Sequence, residues 1–310
     1  MTKPALYLWG LKELFRLGRP DVALGFLGGI GDDLLCTSAI HEHLLRGAKR
    51  IWFITRHPGL YHFDQRVRLL PEDPRYAALA ARLKRPIRHL SYSTYNEDTD
   101  QDTIPREHII AEICRKAGVV GQIDLKPHLT LTEAELSNTS NWKNYIALQT
   151  SSLSASVPMA NKQWSTEGFQ AVVNFCQARG FKCLQIGSAT DPVLSGTIDL
   201  RGKTNLRETA SVLAQSRLFI GLVGFLMHLA CAVECPSVIV YGGRETPNLT
   251  GYSCNINIIQ QPSCSPCWQR NRCDYAHKCM TSITAEQVTA SIEKILGQSR
   301  SPLRTRQASI

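Results

Sequence analysis

The stretch Leu218–Gly243, LFIGLVGFLMHLACAVECPSVIVYGG, decides the fold of this chain. Two near-continuous apolar runs, Leu218–Leu222 and Ser237–Tyr241, predict strands that are covered on both faces, as in a parallel sheet. Between them, a glycine-containing turn leads into Phe225–Val233, which predicts a short helix. Ligands bind such sheets at the carboxyl ends of the strands, where a helix N-terminus offers free N–H groups to a phosphate. We therefore expect a nucleotide or diphosphate site near His228, which lies early in this helix.

The flanking sequence continues the same alternation through the second half of the chain. A strand at Tyr145–Gln149 opens the run. Periodicity then predicts helices at Thr166–Arg179, Leu206–Gln215 and Ala285–Leu296, with strands at Lys182–Gly187 and Ile198–Leu200. Strands that alternate with helices are typical of a doubly wound α/β domain.

The first half of the chain shows the same alternation of strands and helices. It predicts strands at Val22–Leu27, Arg50–Thr55 and Ile87–Leu90, and helices from Gly28 to Leu45, over 75–84 and at Pro105–Ala117. The polar segment 132–144 predicts a linker. The fold class is therefore α/β, with two Rossmann-like domains facing across a cleft. We place the domains at 1–140 and 141–296, and we expect the basic tail 297–310 to be disordered.

An additional helix is predicted at the N-terminus, over residues 4–18. Its apolar residues recur at helical spacing, at Leu8, Leu11, Leu14 and Phe15, and Lys12, Arg16 and Arg19 lie off that face. We favour an amphipathic helix whose apolar face docks on the protein. The alternative is a peripheral contact with a membrane surface.

Composition limits the function classes. The 310 residues carry a formal net charge of +9, which suits anionic lipid or a phosphorylated substrate. Nucleic acid ranks last as a partner, because aromatic residues do not interleave with the basic ones. No apolar run is long enough to span a bilayer, and no signal peptide is visible. Eleven cysteines, many of them single in apolar segments, favour a reducing compartment and a cytoplasmic location.

The segment GGIGDD, Gly28–Asp33, follows a predicted strand and opens a helix. It lacks the GxGxxG fingerprint, and an acid at the turn argues against a phosphate there. We expect Asp32 to present a carboxylate to the cleft as a general base, with Asp33 as a helix cap. Alternatively, both are ordinary acids at a helix N-terminus, whose dipole would lower their pKa.

Two further segments precede predicted helices. Lys162 lies just outside a helix N-terminus, where the helix dipole does not favour a cation. It is therefore a candidate phosphate ligand. A solvated surface lysine is the alternative. The segment Gly202–Lys203–Thr204 is a turn before the next helix and is a second candidate for lining a nucleotide.

Two clusters of acidic or cysteine residues are candidates for binding a metal ion. The run NEDTDQD over 96–102 contains overlapping DxD triplets, but its polar neighbours favour a solvated loop over a metal site. Four cysteines, Cys264, Cys267, Cys273 and Cys279, have a compact spacing that suits one structural zinc ion. Disulfides or simple packing are the alternatives. We expect no catalytic role for this cluster, because it follows the last predicted strand.

Five motifs occur here in one order: GGIGD, KQWS, GKTNL, the opening segment and the CSPCW loop. Together they resemble glycosyltransferase family 9, the heptosyltransferase-like family, over about residues 22–296. The resemblance implies a GT-B architecture with an acceptor-side N-terminal domain and a donor-binding C-terminal domain. It implies inverting transfer of a hexosyl or heptosyl group from a nucleotide-sugar to a glycan or glycolipid, such as lipopolysaccharide. It also implies that no cofactor or metal ion is required for catalysis.

Carried onto this sequence, the resemblance makes Asp32 the catalytic base and Lys162 a ligand of the donor phosphate. The residues that it assigns to donor binding, besides Lys162, are Gly202, Lys203, Thr204, Gly224, Phe225, Met227, His228, Gly242 and Gly243. One departure stands out: the family has Asp, then Ser or Thr, then Gly before the histidine, and this chain has Val223, Gly224 and Phe225. A lost hydroxyl partner changes specificity strongly. The alternative function is therefore an inactive member that binds a glycan or a partner transferase.

Overall fold

Two parallel sheets, one from each half of the chain, organise the structure. This is a computed structural model, and it describes residues 3–26, 28–61, 64–297 and 307–309. Helices cover both faces of each sheet, as the sequence predicted for an α/β fold.

The N-terminal half is built on a parallel sheet of four strands. Its elements are α1 (Lys3–Leu17), β1 (Val22–Gly25), α2 (Ile30–Leu45), β2 (Ile51–Ile54), β3 (Val67–Leu70), α3 (Pro74–Arg82), β4 (Arg88–His89), β5 (Tyr95–Asn96), β6 (Gln101–Asp102), α4 (Ile109–Lys116), β7 (Gln122–Asp124) and α5 (Glu133–Asn138). The strand order is β3-β2-β1-β4, and β5 and β6 form a separate antiparallel hairpin.

The C-terminal half is built on a parallel sheet of six strands. Its elements are β8 (Ile146–Leu148), α6 (Thr166–Ala178), β9 (Cys183–Gln185), β10 (Ile198–Asp199), α7 (Leu206–Gln215), β11 (Leu218–Leu222), α8 (Phe225–Ala232), β12 (Ser237–Gly242), α9 (Pro247–Thr250), β13 (Asn255–Ile259), α10 (Lys278–Thr281), α11 (Ala285–Leu296) and β14 (Gln307–Ser309). The order is β10-β9-β8-β11-β12-β13. The segment Leu218–Gly243 thus supplies two adjacent central strands and the helix between them.

Alternation along the strands explains why both faces of the first sheet are covered. In β2, IWFI, all four residues are buried. Trp52 and Ile54 pack with α1 and α3 on one face, whereas Ile51 and Phe53 pack with α2 on the other.

The two halves share an apolar floor beneath the cleft. Leu34 and Leu35 of α2 belong to the same buried cluster as Met227 and Ala230 of α8. The helices approach closely at Gly31, where an added Cβ would lie 3.6 Å from the Cα of Phe225. Both helices begin beside the cleft, so their N-termini face one another.

Most predicted elements are confirmed, and α7 and β11 have the predicted bounds. Strands β3 and β13 were missed because their residues are only partly buried and mix polar with apolar side chains. The predicted linker at 132–144 is wrong in part: it contains α5, which a capping box between Thr132 and Glu135 stabilises. The cysteine cluster follows the last strand of the six-stranded sheet, as predicted, but that strand is β13 and not β12.

Helix α1 forms as predicted, but with the opposite face toward the protein. The exposed fractions of Tyr7, Leu8, Leu11 and Phe15 are 62%, 65%, 48% and 95%. The docked side instead carries Trp9, whose ring packs edge-on against Tyr76, and the buried Leu17 and Glu13. Glu13 can be buried because Arg16 and Tyr76 both donate to its carboxylate.

The predicted tail has structure in one described part. The backbone of β14, Gln307–Ser309, pairs antiparallel with β7. Residues 298–306 and 310, which the prediction of disorder also covers, lie outside the described residues. Among the described helices, none combines the length and the apolar character that crossing a membrane requires.

Candidate active site

A cavity of about 570 Å³ lies between the two sheets. This volume suits a ligand of nucleotide-sugar size. Its walls come from the turn before α2, from Tyr92 and the β5–β6 hairpin, from a serine-rich loop after β8, from the N-terminus of α8 and from the segment after β12. The site is therefore formed where the carboxyl ends of parallel strands from both halves meet, as the sequence predicted.

Asp32 lines this cavity at the start of α2. Tyr92 Oη donates to Asp32 Oδ1 at 2.7 Å, and the Gly29 N–H donates to Oδ2 at 3.1 Å. Burial raises the pKa of Asp32, against the opposing effects of these two donors and of Lys162. The expectation that the helix dipole would leave this pKa lowered is therefore wrong, because desolvation outweighs it.

Asp33 does not line the cavity and does not cap the helix. Its carboxylate is buried on the other side of α2, where it accepts hydrogen bonds from the hydroxyl of Thr55 and from His57 Nδ1 at 2.8 Å. Only one of the two adjacent acids is thus available to a ligand. The helical turn separates them by about 100°.

The N-terminus of α8 forms the opposite wall. Gly224, Phe225 and His228 line the cavity, and Gly224 adopts a φ of +156°, which favours glycine. His228 Nδ1 lies 2.6 Å from the hydroxyl of Tyr252. Burial, with the nearby charge of Lys162, lowers the pKa of His228 to about 3, so the imidazole is neutral.

Lys162 also lines the cavity, but it is not a solvated surface lysine. Its Nζ lies 2.6 Å from Glu245 Oε1, and both side chains are largely buried. Burial lowers the pKa of Lys162, while Glu245 acts in the opposite direction. Although burial opposes it, the charges of Lys162 and Arg244 lower the pKa of Glu245 to about 2. Glu245 is therefore ionised, and it contacts both Lys162 and Arg244.

Sequence reasoning missed the cavity residues Arg244, Glu245 and Arg270. Arg244 is only 2% exposed; its guanidinium forms ion pairs with Glu245, at 3.0 Å, and with Asp102. Arg270 Nη2 also pairs with Asp102, at 2.6 Å. The position of Arg244 and Glu245 directly after β12 was a usable signal, because residues that follow a parallel strand reach the ligand-binding edge.

The prediction of a solvated loop over 96–102 holds for residues 96–99, which are exposed, and is wrong for Asp100 and Asp102. Asp102 is buried between two arginines from the C-terminal half, and Asp100 Oδ2 accepts the N–H groups of Asn271 and Arg272 at 2.6 Å. Main-chain bonds extend the contact: the Asp102 N–H donates to Trp268 O at 3.0 Å. The acidic hairpin therefore holds the cysteine-containing loop across the cleft.

The remaining predicted donor residues divide into two groups. Thr204 lines the cavity, whereas Gly202, Lys203, Met227, Gly242 and Gly243 lie outside its lining. Lys203 is exposed and pairs with Asp199, and Met227 is fully buried in the shared core. Gly242 and Gly243 pack against the cysteine loop, where an added Cβ would clash with Met280 and Cys279, respectively.

The four predicted zinc ligands surround a second, small cavity of about 30 Å³. All four cysteines are free of disulfides, and the His277 N–H donates to Cys273 Sγ at 3.3 Å. Within the described ranges, however, no three His, Cys, Asp or Glu side chains form a group that could hold a metal ion. Four cysteine sulfurs are suitable ligands for zinc, but their side chains are not arranged as a metal site in this structure. The zinc ion therefore stays a prediction.

The cysteine loop also reaches the larger cavity. Trp268 and Arg270, which follow Cys267, both line the cleft. The loop that carries the cysteines therefore forms part of the cleft wall, although the four cysteines themselves are not among the lining residues.

Comparison with known proteins agrees with this geometry. The family model Glycosyltransferase family 9 (heptosyltransferase) matches residues 115–277, more than half of the chain. Lipopolysaccharide heptosyltransferase 3 of Escherichia coli strain K12 is 26% identical over 147 residues, which cover 44% of this chain and 43% of that protein. The chain spans about half the length of the curated relatives it matches.

Solved structures show the same fold. The heptosyltransferase TibC, described as dodecameric, iron-containing and in complex with ADP-D-β-D-heptose, matches with a TM-score of 0.67 and 19% identity, over 91% of this chain and 77% of TibC. The E. coli ADP-heptose lipopolysaccharide heptosyltransferase II matches with a TM-score of 0.66 and 16% identity, over 89% of this chain and 99% of that one. The architecture is therefore GT-B, and with the family match over more than half of its residues, the chain belongs to glycosyltransferase family 9.

Proposed function

We propose that this protein is an inverting glycosyltransferase that moves a sugar from a nucleotide-sugar to a cell-surface glycan, lipopolysaccharide or another polysaccharide. The observation that carries the proposal is one cavity with a partly buried carboxylate, Asp32, on one side and a network of largely buried cations on the other. A displacement at a sugar carbon needs both parts: a base for the incoming hydroxyl and positive charge for the leaving diphosphate.

In the proposed reaction, the acceptor hydroxyl attacks the anomeric carbon of the donor. Asp32 takes the hydroxyl proton while the new C–O bond forms. The bond between the anomeric carbon and the phosphate oxygen breaks on the opposite face, so the configuration inverts and a nucleoside diphosphate leaves. The raised pKa of Asp32 suits this role, because a more basic carboxylate is a better proton acceptor.

We propose that catalysis requires no metal ion. Lys162 and the N-terminal N–H groups of α8 supply positive charge to the leaving diphosphate. The carboxylates of the DxD run already have partners within the protein, because Asp102 pairs with two arginines and Asp100 accepts main-chain N–H groups. We expect EDTA to leave the transfer rate unchanged. Loss of activity with EDTA and recovery with magnesium would contradict this part of the proposal.

The second candidate function is a non-catalytic member that binds a glycan or a partner transferase. The apolar residues Val223 and Phe225 favour it, because they line the cavity where the family has an acid and a glycine. They do not decide the question, since Asp32, Lys162 and His228 remain around the same cavity. Only the transferase consumes a nucleotide-sugar.

The test combines a binding screen with a transfer assay. Ligands that bind only the folded state raise its melting temperature. We would screen ADP-, UDP-, GDP- and CMP-sugars, beginning with ADP-D-β-D-heptose, to which TibC is described as bound. Stabilisation by one donor, followed by its consumption with a glycan acceptor, supports the transferase. Stabilisation without turnover supports the binding function, and no stabilisation by any nucleotide-sugar would overturn the transferase proposal.

The nature of the glycan acceptor leads to a proposal about where in the cell the protein works. Growing cell-surface glycans are lipid-linked in many assembly routes, so we propose that the protein works in the cytoplasm and meets its acceptor at the inner face of a membrane. Exposed apolar residues on α1 support a peripheral contact there.

A further inference from the structure

Lys162 is not the only cation in the wall of the cavity, since Arg244 and Arg270 also line it. Ion pairs connect Lys162, Glu245, Arg244, Asp102 and Arg270 in that order along one wall of the cavity. At one end, Glu245 pairs with both Lys162 and Arg244. At the other end, two guanidinium groups share the single carboxylate of Asp102. With three cations and two carboxylates, the network carries one more positive than negative charge, and the cations at its two ends are Lys162 and Arg270.

Arg270 is the more accessible of those two arginines. Its Nε and Nη2 donate to Asp102, at 3.1 and 2.6 Å, and its guanidinium lies 3.7 Å from the centre of the Tyr95 ring. Among the described residues, none accepts a hydrogen bond from its Nη1. Arg244 is nearly inaccessible by comparison and is occupied by Asp102, Glu245 and main-chain carbonyls. A charged donor held rigidly at the edge of a cavity is a ready ligand for a phosphate oxygen.

We propose that Arg270 is a second cation of the donor diphosphate site, with Nη1 donating to the leaving group, and that Asp102 is the residue that positions it. This inference rests on the proposed function. The charge that the reaction needs at the leaving group then comes from Arg270 as well as from Lys162 and α8.

The same geometry connects donor binding to the apposition of the two domains. Asp102 belongs to the N-terminal half, and Arg270 belongs to the C-terminal half. The hairpin is fixed to the loop by further bonds, including Gln101 Nε2 to Cys267 O at 2.7 Å. The diphosphate site is therefore complete only when the acidic hairpin contacts the cysteine-containing loop.

The chain offers a matched control two residues away. Arg272 lies on the same loop and also contacts the hairpin, since its Nη1 donates to Asp98 O at 3.3 Å. It is exposed and does not line the cavity. Removing either arginine deletes one positive charge, but only Arg270→Ala removes a charge that reaches the ligand.

The experiment is calorimetric titration of ADP, UDP and inorganic pyrophosphate into the full chain. For the probe that binds best, we expect Arg270→Ala to weaken binding about 10- to 100-fold, the effect of a charged hydrogen bond, and Arg272→Ala to change it less than about twofold. Arg270→Lys should give an intermediate loss, because the charge stays and the rigid fork is gone. Asp102→Asn should weaken binding in the same direction and raise KM more than it lowers kcat.

Melting temperatures measured without ligand identify any variant that is poorly folded. If Arg270→Ala is such a variant, the affinity of Arg270→Lys for the probe decides the test. Wild-type binding that Lys162→Ala weakens but both Arg270 variants leave intact would overturn the inference and spare the proposed function. Equal losses in Arg270→Ala and Arg272→Ala would also overturn it, because the effect would then be one of overall charge. Wild-type protein that binds none of the three probes would overturn both.

Discussion

Asp32 shows how two effects of opposite sign are resolved at one residue. A helix N-terminus stabilises a carboxylate by about 0.3–1 kcal/mol at exposed sites, whereas burial in a closed cleft can raise a carboxyl pKa by several units. At Asp32 burial prevails, although Tyr92 and Gly29 both donate to the ionised form. The residue therefore combines the position of a helix-capping acid with the basicity of a catalytic one.

We expect Asp32→Asn to reduce transfer by about two to four orders of magnitude, because the amide cannot accept the proton. Donor binding should stay near that of the wild type. The matched control is Asp33→Asn, which removes the neighbouring acid outside the cavity and should lower stability more than the rate. A loss of only a few-fold in Asp32→Asn would show that another group is the base.

The pH dependence of the rate tests the same residue. A base acts in its deprotonated form, so kcat/KM must fall as the pH falls through the pKa of Asp32. Since burial raises that pKa above its ordinary value of 3.8, the acid limb should lie at higher pH than for a free aspartate. A limb that stays in the Asp32→Asn variant at the same pH would assign it to a different group.

Lys162 illustrates a buried cation with an internal partner. We expect Lys162→Ala to weaken binding of a nucleoside diphosphate by about 1–3 kcal/mol, the range for a charge-assisted hydrogen bond. Lys203→Ala is the control, because Lys203 is exposed, pairs with Asp199 and lies outside the cavity lining. Calorimetry that finds equal affinities for the two variants would remove Lys162 from the site.

Among the elements, the cysteine-containing loop has the most unusual design. It has little regular structure, yet it presents Trp268 and Arg270 to the cleft. Long irregular segments in compact domains commonly need a covalent or metal constraint. Its four cysteines line one small cavity.

We propose one structural zinc bound by Cys264, Cys267, Cys273 and Cys279, with Zn–S distances of about 2.3 Å. Elemental analysis of untagged protein should find close to one zinc per chain. Cys267→Ser should lose the metal, the thermal stability and, because Trp268 and Arg270 line the cleft, part of the transfer activity. The control Cys254→Ser lies outside the loop and should keep the metal. Metal-free protein with unchanged stability and activity would contradict the proposal.

For the whole molecule, the exposed side of α1 bears on where the protein works. Tyr7, Leu8, Leu11 and Phe15 form one stripe at helical spacing, opposite the docked Glu13 and Leu17. Arg19 donates to Leu83 O at 3.3 Å, so the exposed Arg82, Lys84 and Arg85 lie near the C-terminal end of the stripe. An apolar stripe beside exposed cations suits an anionic membrane surface.

We expect the protein to sediment with vesicles that contain anionic lipid and to bind neutral vesicles weakly. Replacing both Leu8 and Phe15 by Ser should reduce binding about tenfold or more, given the apolar area removed. The control Val193→Ser changes an equally exposed apolar residue elsewhere on the surface. Binding that the double variant leaves intact would contradict the proposal, as would a concentration-dependent oligomer, detected by light scattering, that only the double variant abolishes.

The sequence by itself determined the order of strands and helices and the family. Elements such as β11, α8 and β12 follow from apolar periodicity over a few residues, and such patterns depend mainly on near neighbours in the chain. The positions of Asp32, Lys162 and His228 around a cleft could be predicted, because residues after parallel strands reach one edge of the sheet. A partly buried edge strand such as β13 carries a weaker pattern and was missed.

Only the tertiary structure decided which of those residues share a cavity and which charges meet. Asp102 pairs with Arg244, 142 positions later in the chain, and no local pattern encodes that contact. The same holds for the face of α1 that meets water, because a helix with apolar residues on several sides can dock in more than one rotation. Burial, and with it the pKa of Asp32, is likewise a property of everything packed around a side chain, which exists only once both domains have folded against each other.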